Sequence, residues 1–419
     1  MIPVGIEAMN VFGGSAFVAV DQLARHRQLS VARFENLMMK QKTVVMPWED
    51  PVSFAVNAAQ PIVASLSASE RDRIELLITC SESGIDFGKS LSTYIHHYLG
   101  LNRNCRLFEL KQACYAGTAG FQMASNFVLS QTSPGAKALV IAADISRMIP
   151  RLGTEDLPED GAYAELSSGA GAVAMLIGEE PSLFHLDVGA SGYYGYEVMD
   201  TCRPAADYGV GNADLSLLSY LDCCEQTFLE YRRRVPDVDY AKSFDYLAFH
   251  TPFGGMVKGA HRAMMRKLMR ASAVEIEADF ERRVNPGMGY CQRIGNVMGG
   301  TIFVSLASTI DHGSFPSASR IGCFSYGSGC CSEFYSGVVV KEAQERLRLL
   351  EIARHLDQRR QLSPMEYEEG LALNAAVGFG TRNFSPDGLS RPRPNPSLKS
   401  PQLTLRGIVD FHREYAWSD

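Results

Sequence analysis

The feature that most constrains this chain is that its two halves spell the same succession of elements. "ELLITCSESG" and "DYLAFHTPFG" each run an apolar strand into a polar, reactive end. "ACYAGTAGFQMASNFVLSQ" and "GNVMGGTIFVSLASTID" each open a helix with small residues and continue it as an amphipathic stretch. "GAKALVIAADIS" answers "ASRIGCFSYGSG", and "GAVAMLIG" answers "EFYSGVVV", in the same order. Short apolar runs alternating with helical periods predict an α/β protein. A duplicated α/β unit brings equivalent corners together across a pseudo-twofold axis. The corner holding Cys114 then faces the corner holding Asn296, and the strand end holding Glu82 matches the one holding His250.

Strands are expected at 4–11, 76–80, 106–110, 138–143 and 172–177 in the first half, and at 184–188, 246–250, 321–325 and 335–340 in the second. The halves divide at about 180: residues 1–180 carry Glu82 and Cys114, and residues 181–419 carry His250 and Asn296. From about 341 an extension begins, with a charged helical pattern over 341–363. A Pro-rich surface loop follows at 390–401, and "LTLRGIVDFHREYAW" packs back as a strand or strand–helix piece.

Composition narrows the function. A net charge of −7 gives no footprint for nucleic acid. The longest strongly apolar run, "GAGAVAMLIG" at 169–178, is too short to span a bilayer. The N-terminus lacks the basic start of a secretory signal. The 10 cysteines are scattered without a CxxC spacing, which points to free thiols in a reducing cytoplasm and against a zinc site.

Chemistry concentrates at the corners. A cysteine at a helix start meets unpaired N–H groups and the positive dipole end, which favour thiolate. His250 ends its strand before Pro252, which exposes the ring, and Asn296 presents an amide before Gly299 and Gly300. Cys, His and Asn at matched corners form a thioester-handling set: a thiolate takes an acyl group while donors hold a carbonyl oxygen. Glu82 adds a carboxylate suited to removing a proton from an acetyl methyl.

These residues resemble the 3-hydroxy-3-methylglutaryl-CoA synthases of the thiolase superfamily. The resemblance runs through the "ES" of Glu82, "ELKQACYAGTAG", "SSGAGAVAMLIG", "FHTPFGGMVKGA", "IGNVMGGT", "FSYGSG" and "DFHREYAW". It implies a thiolase-like duplicated αβαβα layered sandwich, a homodimer, and no metal or redox cofactor. It implies Cys114 as the acetylated nucleophile, Glu82 as general acid/base, and His250 with Asn296 orienting a β-keto acceptor. Asp200, Tyr326 and Ser328 match positions lining the family's pocket.

The chain departs from the mevalonate-pathway members of that family. Their lysine five residues after the histidine, associated with the CoA phosphates, is Gly255 here. "ENLMMKQKTVVMPWEDP" replaces a "GLGQ"-type motif, and Met148 stands where the family has tyrosine, with Tyr163 a candidate substitute. Lys258, Arg262, Arg266 and Arg270 fall four apart and make a basic stripe if the segment is helical. Such a stripe suits an acidic acyl carrier protein and its phosphopantetheine.

The whole pattern is most similar to the β-branching synthases of polyketide pathways. These add acetyl from a donor carrier protein to the β-keto group of a chain on an acceptor carrier protein of a polyketide synthase. Two other readings of the same fold are a free-CoA synthase and a non-catalytic carrier-binding module. A biosynthetic thiolase or ketoacyl synthase is another reading, in which Cys330 or Cys331 imitates a thiolase's second cysteine, but Glu82 and the motifs along the whole chain argue otherwise.

Overall fold

The computed structural model describes residues 2–146, 159–205, 208–386, 389 and 401–418. Met148 and most of the Pro-rich stretch, 390–400, lie outside the described residues.

One nine-stranded mixed sheet carries the duplication. Its centre is the antiparallel pair Gly5–Phe12 and Phe184–Gly195. Outward from Gly5–Phe12 come Ala170–Gly178, Lys137–Ile145, Ile74–Cys80 and the edge strand Arg106–Leu110. Outward from Phe184–Gly195 come Cys331–Val339, Ser319–Gly327 and Tyr246–Phe249. In each arm the first three strands are antiparallel neighbours and the next joins in parallel. The four expected pairs of elements therefore match. Arg106–Leu110 has no partner in the second half among the described residues. Helix Met288–Ile294 leads into the Asn296 corner instead.

Strands Lys137–Ile145 and Ala170–Gly178 are buried along their whole length, as expected of strands covered on both faces. Their alternate residues feed separate cores. Ala138, Val140, Ala142, Val173 and Met175 face a central layer formed by helices Ala116–Ser130 and Thr301–His312. Leu139, Ile141, Ala172, Ala174 and Leu176 face helix Pro51–Ser65 on one outer side. Phe249, Phe324 and Phe334 of the second arm pack on helices Ala213–Arg234 and Gly254–Met269 on the other. The result is the expected five-layered, thiolase-like α/β sandwich.

The central helices touch at their starts. A Cβ on Gly117 would stand 2.1 Å from the carbonyl oxygen of Gly299, so the Cys114 and Asn296 corners are in backbone contact. Farther along, the rings of Phe121 and Phe303 pack edge to face at 5.8 Å.

Three stretches differ from expectation. Strand Phe184–Gly195 runs well past Val188 along Cys331–Val339. The charged 341–363 stretch is two short helices, Ala343–Arg348 and Ile352–Asp357, because Glu351 sits in the left-handed region at φ 53°. Strand Arg360–Leu362 then joins Ala16–Ala19. The C-terminal piece is a hairpin, Leu403–Val409 and His412–Trp417, turning on Asp410 and Phe411, both at positive φ. It is held to the first half where Asp50 accepts from Arg413 (3.0 Å) and from the Tyr415 hydroxyl (2.6 Å). Among the described residues no helix is long and apolar enough to cross a membrane.

Candidate active site

Strand Arg106–Leu110 delivers the chain to a tight turn in which Ala113 has φ 44°, a sparsely populated conformation for a side-chain-bearing residue. Cys114 follows, partly exposed, and helix Ala116–Ser130 begins two residues later. A buried carboxylate from the other half fixes this turn. Glu333 accepts from the Tyr115 hydroxyl (2.6 Å), the Gln122 amide (2.8 Å) and Ser191. A side chain at Gly327 would meet the Tyr115 amide nitrogen at 2.5 Å, so the "SYGSG" loop also lies against the turn.

The resting state of Cys114 corrects the thiolate expectation. Burial pushes the thiol well up, Glu82 and Asp144 push it further, and only Arg203 opposes them appreciably. Desolvation and neighbouring carboxyl groups outweigh the helix start. A thiol held in this way becomes a nucleophile only as its proton is taken up.

Glu82 sits in the loop after strand Ile74–Cys80, with its side chain only 17% exposed. The loop is organised by Asp144, at the end of the neighbouring strand. One Asp144 oxygen accepts from the Glu82 amide (2.9 Å), the Ser83 amide (3.1 Å) and the hydroxyls of Ser81 (3.1 Å) and Ser83 (2.9 Å). Its other oxygen is buried without a hydrogen-bond partner among the described residues. Burial, reinforced by the charge of Glu82, raises the Asp144 carboxyl to about 7, with Arg203 opposing. Arg203 pairs with the Glu82 carboxylate at 3.1 Å. Sequence reasoning singled out neither Asp144 nor Arg203. A usable signal for Asp144 was its place at a strand end, like Glu82.

His250 follows strand Tyr246–Phe249, is buried, and is held through its backbone. Its amide donates to the Phe324 carbonyl (2.8 Å), and its carbonyl accepts from the Tyr220 hydroxyl (2.6 Å). The expectation that Pro252 leaves the ring exposed is corrected: the strand end is roofed by Tyr220 and Phe324, whose rings lie 5.2 Å apart. Burial alone lowers its imidazole from 6.5 to about 3, so the ring is neutral in ordinary buffers. Its Nδ1 is buried without a hydrogen bond among the described residues. A lowered folded-state pKa stabilises the fold fully above the unfolded value, and that contribution is lost as pH falls toward the folded value. The His250 contribution is thus present above about 6.5 and lost progressively toward about 3. NMR of the imidazole is expected to show no titration between pH 8 and pH 5, whereas a surface histidine titrates near 6.5.

Asn296 is pinned on both sides. Its amide donates to the Ser167 carbonyl (2.8 Å), and its carbonyl accepts from Gly169 (2.9 Å). Its side-chain oxygen accepts from the Met298 amide and the Thr301 hydroxyl, each at 3.0 Å. That fixes the amide plane and leaves the NH₂ end without a protein acceptor among the described residues.

The expected pocket positions form one network. Asp200 is fully buried and accepts from the Tyr326 hydroxyl (2.5 Å) and the Gly329 amide (3.0 Å), while Ser328 bonds Thr201 (3.0 Å). Asp200 and Tyr326 thus satisfy each other and brace the wall beside Cys114. Tyr163 is buried in a small cluster with Leu37, beneath Arg33, and its hydroxyl has no hydrogen bond among the described residues.

The basic stripe is shorter than expected. Lys258 pairs with Glu277 at 2.6 Å, and Arg270 caps helix Gly254–Met269 in the left-handed region instead of extending its face. Arg262 and Arg266 remain exposed on that helix. At its start, a Cβ on Gly255 would stand 1.9 Å from the carbonyl oxygen of Asn36. The segment that replaces the family motif thus fills the space a lysine would need. Gly255→Lys is expected to lower stability by ~1–3 kcal/mol through overpacking, read as a fall in Tm.

A cysteine on a strained turn, a carboxylate on a strand end, and His and Asn from the opposite half are a set that suits a thioester-condensing enzyme on a thiolase-like frame. The chain belongs to the hydroxymethylglutaryl-coenzyme A synthase family. The family's N-terminal pattern matches residues 2–182 and its C-terminal pattern residues 260–416. Over the full length of both chains it is 64% identical to the polyketide biosynthesis 3-hydroxy-3-methylglutaryl-ACP synthase PksG of Bacillus subtilis (strain 168). The crystal structure of the curacin biosynthetic pathway HMG synthase in complex with acetyl donor-ACP superposes with TM-score 0.95 at 60% identity, covering 99% of this chain and 100% of that one. MvaS in complex with 3-hydroxy-3-methylglutaryl coenzyme A gives TM-score 0.83 at 28% identity, with both chains fully covered. The chain is a C–C bond-forming, acyl-transferring synthase.

Proposed function

We propose that this synthase takes acetyl from a donor acyl carrier protein and adds it to the β-keto carbon of a polyketide chain on a second carrier protein. What carries this reading is the full-length likeness to PksG and to the curacin enzyme, both named for work on carrier-bound chains or seen with a carrier protein. The filled space at Gly255 agrees, since it leaves no room for the lysine of the free-CoA enzymes. Arg262 and Arg266 offer positive charge to an acidic carrier.

Three steps follow. Cys114 attacks the acetyl thioester, giving acetyl-enzyme and the free carrier thiol. Glu82 takes a proton from the acetyl methyl, and the enolate carbon bonds to the acceptor's β-carbonyl carbon, whose oxygen is held by His250 and Asn296. A neutral His250 suits this because it donates a hydrogen bond without losing a proton in the resting state. Glu82 returns the proton to the alkoxide, and water cleaves the Cys114 thioester, releasing a 3-hydroxy-3-carboxymethyl product on the acceptor carrier. No step calls for a metal or redox cofactor. The setting proposed is the cytoplasm, with the enzyme as a homodimer.

The test is a mass measurement on the acceptor carrier, which gains the elements of acetic acid. Carrier-bound substrates are expected to react at least about tenfold faster than the matching CoA thioesters. Equal or faster turnover of acetyl-CoA with acetoacetyl-CoA would overturn the carrier-protein reading.

A further inference from the structure

The second half carries a short ribbon, Thr201–Ala205 paired with Tyr208–Gly211. Its base is stapled to the wall of the site. The Asp200 carbonyl accepts from the Asn212 amide (2.8 Å), closing the ribbon's stem. The Asp200 carboxylate holds Tyr326 and Gly329, and Thr201 bonds Ser328. From this fixed base the ribbon sends one side chain across to the first half. Arg203 places Nη2 3.1 Å from the Glu82 carboxylate. Its Nη1 donates to the Glu82 carbonyl (3.3 Å) and approaches the Ser83 hydroxyl at 3.4 Å. Both side chains are largely withdrawn from water, at 26% and 17% exposure.

The charges facing this guanidinium are nearly all acidic. Glu82 comes from the end of strand Ile74–Cys80, Asp144 from the end of strand Lys137–Ile145, and Asp200 from the ribbon's base. The thiol of Cys114 lies on the nucleophile turn, and His250, opposite, is neutral. Burial, with Asp86, raises the Glu109 carboxyl on the neighbouring strand, which accepts from the Leu91 amide. Arg203 is the cation whose charge reaches both Cys114 and Asp144.

We infer that Arg203 is a positioning residue for the condensation: its two-pronged grip fixes the Glu82 carboxylate, and its charge separates that carboxylate from the buried Asp144. The inference rests on the reading of Glu82 as the base. A guanidinium fork reaches side-chain and backbone oxygens together, whereas a lysine ammonium supplies the charge at a single point. Charge and grip are therefore separable by substitution.

The test uses full-length enzyme acetylated on Cys114, mixed with excess β-ketoacyl carrier protein, in single-turnover condensation across pH 5 to 9. Arg203→Met is expected to move the acid limb of the rate up by about one pH unit or more, because opposed carboxylates without their cation hold protons more tightly. Arg203→Lys is expected to return the limb toward wild type while the plateau rate stays several-fold low. Should Arg203→Met not fold, Arg203→Gln removes the charge with a polar side chain, and the same limb is read there. An unmoved acid limb in the charge-removing variant, with Glu82→Gln inactive, would overturn the role of Arg203 alone. A Glu82→Gln enzyme that condenses at the wild-type rate would instead overturn the reading of Glu82.

Discussion

Cys114→Ala is expected to fold normally, accept no acetyl group, and form condensed product at least about a thousandfold more slowly. The effect is large because no other cysteine is equipped to replace it. Cys80, Cys223, Cys224, Cys291, Cys323 and Cys330 are buried in the cores. Cys105, Cys202 and Cys331 are partly exposed, as Cys114 is. None of the three stands, as Cys114 does, between the Ala113 turn and the start of helix Ala116–Ser130. Removing one partly exposed sulfur leaves the Tyr115–Glu333–Gln122 network intact, so the change in Tm is expected to stay within a few degrees. Persistent acetylation of the alanine variant, seen by intact mass, would reassign the nucleophile.

Glu82→Gln is expected to separate the two halves of the reaction. Acetyl-enzyme should form and accumulate, while condensation falls about 10²–10⁴-fold, the range associated with losing a general base. Glutamine fits the same space, and the Asp144 contacts that shape the loop go to the backbone of residue 82 and to Ser81 and Ser83, so they survive the change. Only the ion pair to Arg203 and the basic oxygen are removed. Rapid-quench sampling checks this directly. An enzyme that neither acetylates nor condenses would place Glu82 in the first transfer as well.

The duplication was legible because each repeated unit is a local pattern: an apolar run, a small-residue corner, an amphipathic helix. Burial then brought the two corners together, and Gly117 against Gly299 is the contact that sequence symmetry implied. What stayed hidden depends on neighbours remote in sequence. Asp144 matters because strands Ile74–Cys80 and Lys137–Ile145 lie side by side, which sets its carboxylate under the Glu82 loop. Arg203 comes from "TCRPA", whose proline obscures a strand, and its meaning lies in Glu82, 121 positions away. The Cys114 thiol was misjudged because a helix start is visible in sequence, whereas desolvation is not. The stripe was overcounted for a similar reason: spacing by four placed Lys258 and Arg270 on one face, but Glu277 engages the first and the helix ends at the second. The loss of a lysine at Gly255 was visible, but its cause, the Asn36 carbonyl filling that space, was not.

In the proposed reaction, acetyl reaches Cys114 from a carrier protein. The most direct measurement is intact mass spectrometry of the enzyme after brief exposure to acetyl-carrier protein or, separately, to acetyl-CoA, with Cys114→Ser as control. An acetyl adduct is expected from the carrier, a much weaker one from CoA, and none on the serine variant. Labelling by acetyl-CoA as fast as by the carrier would contradict it and make this a free-CoA synthase.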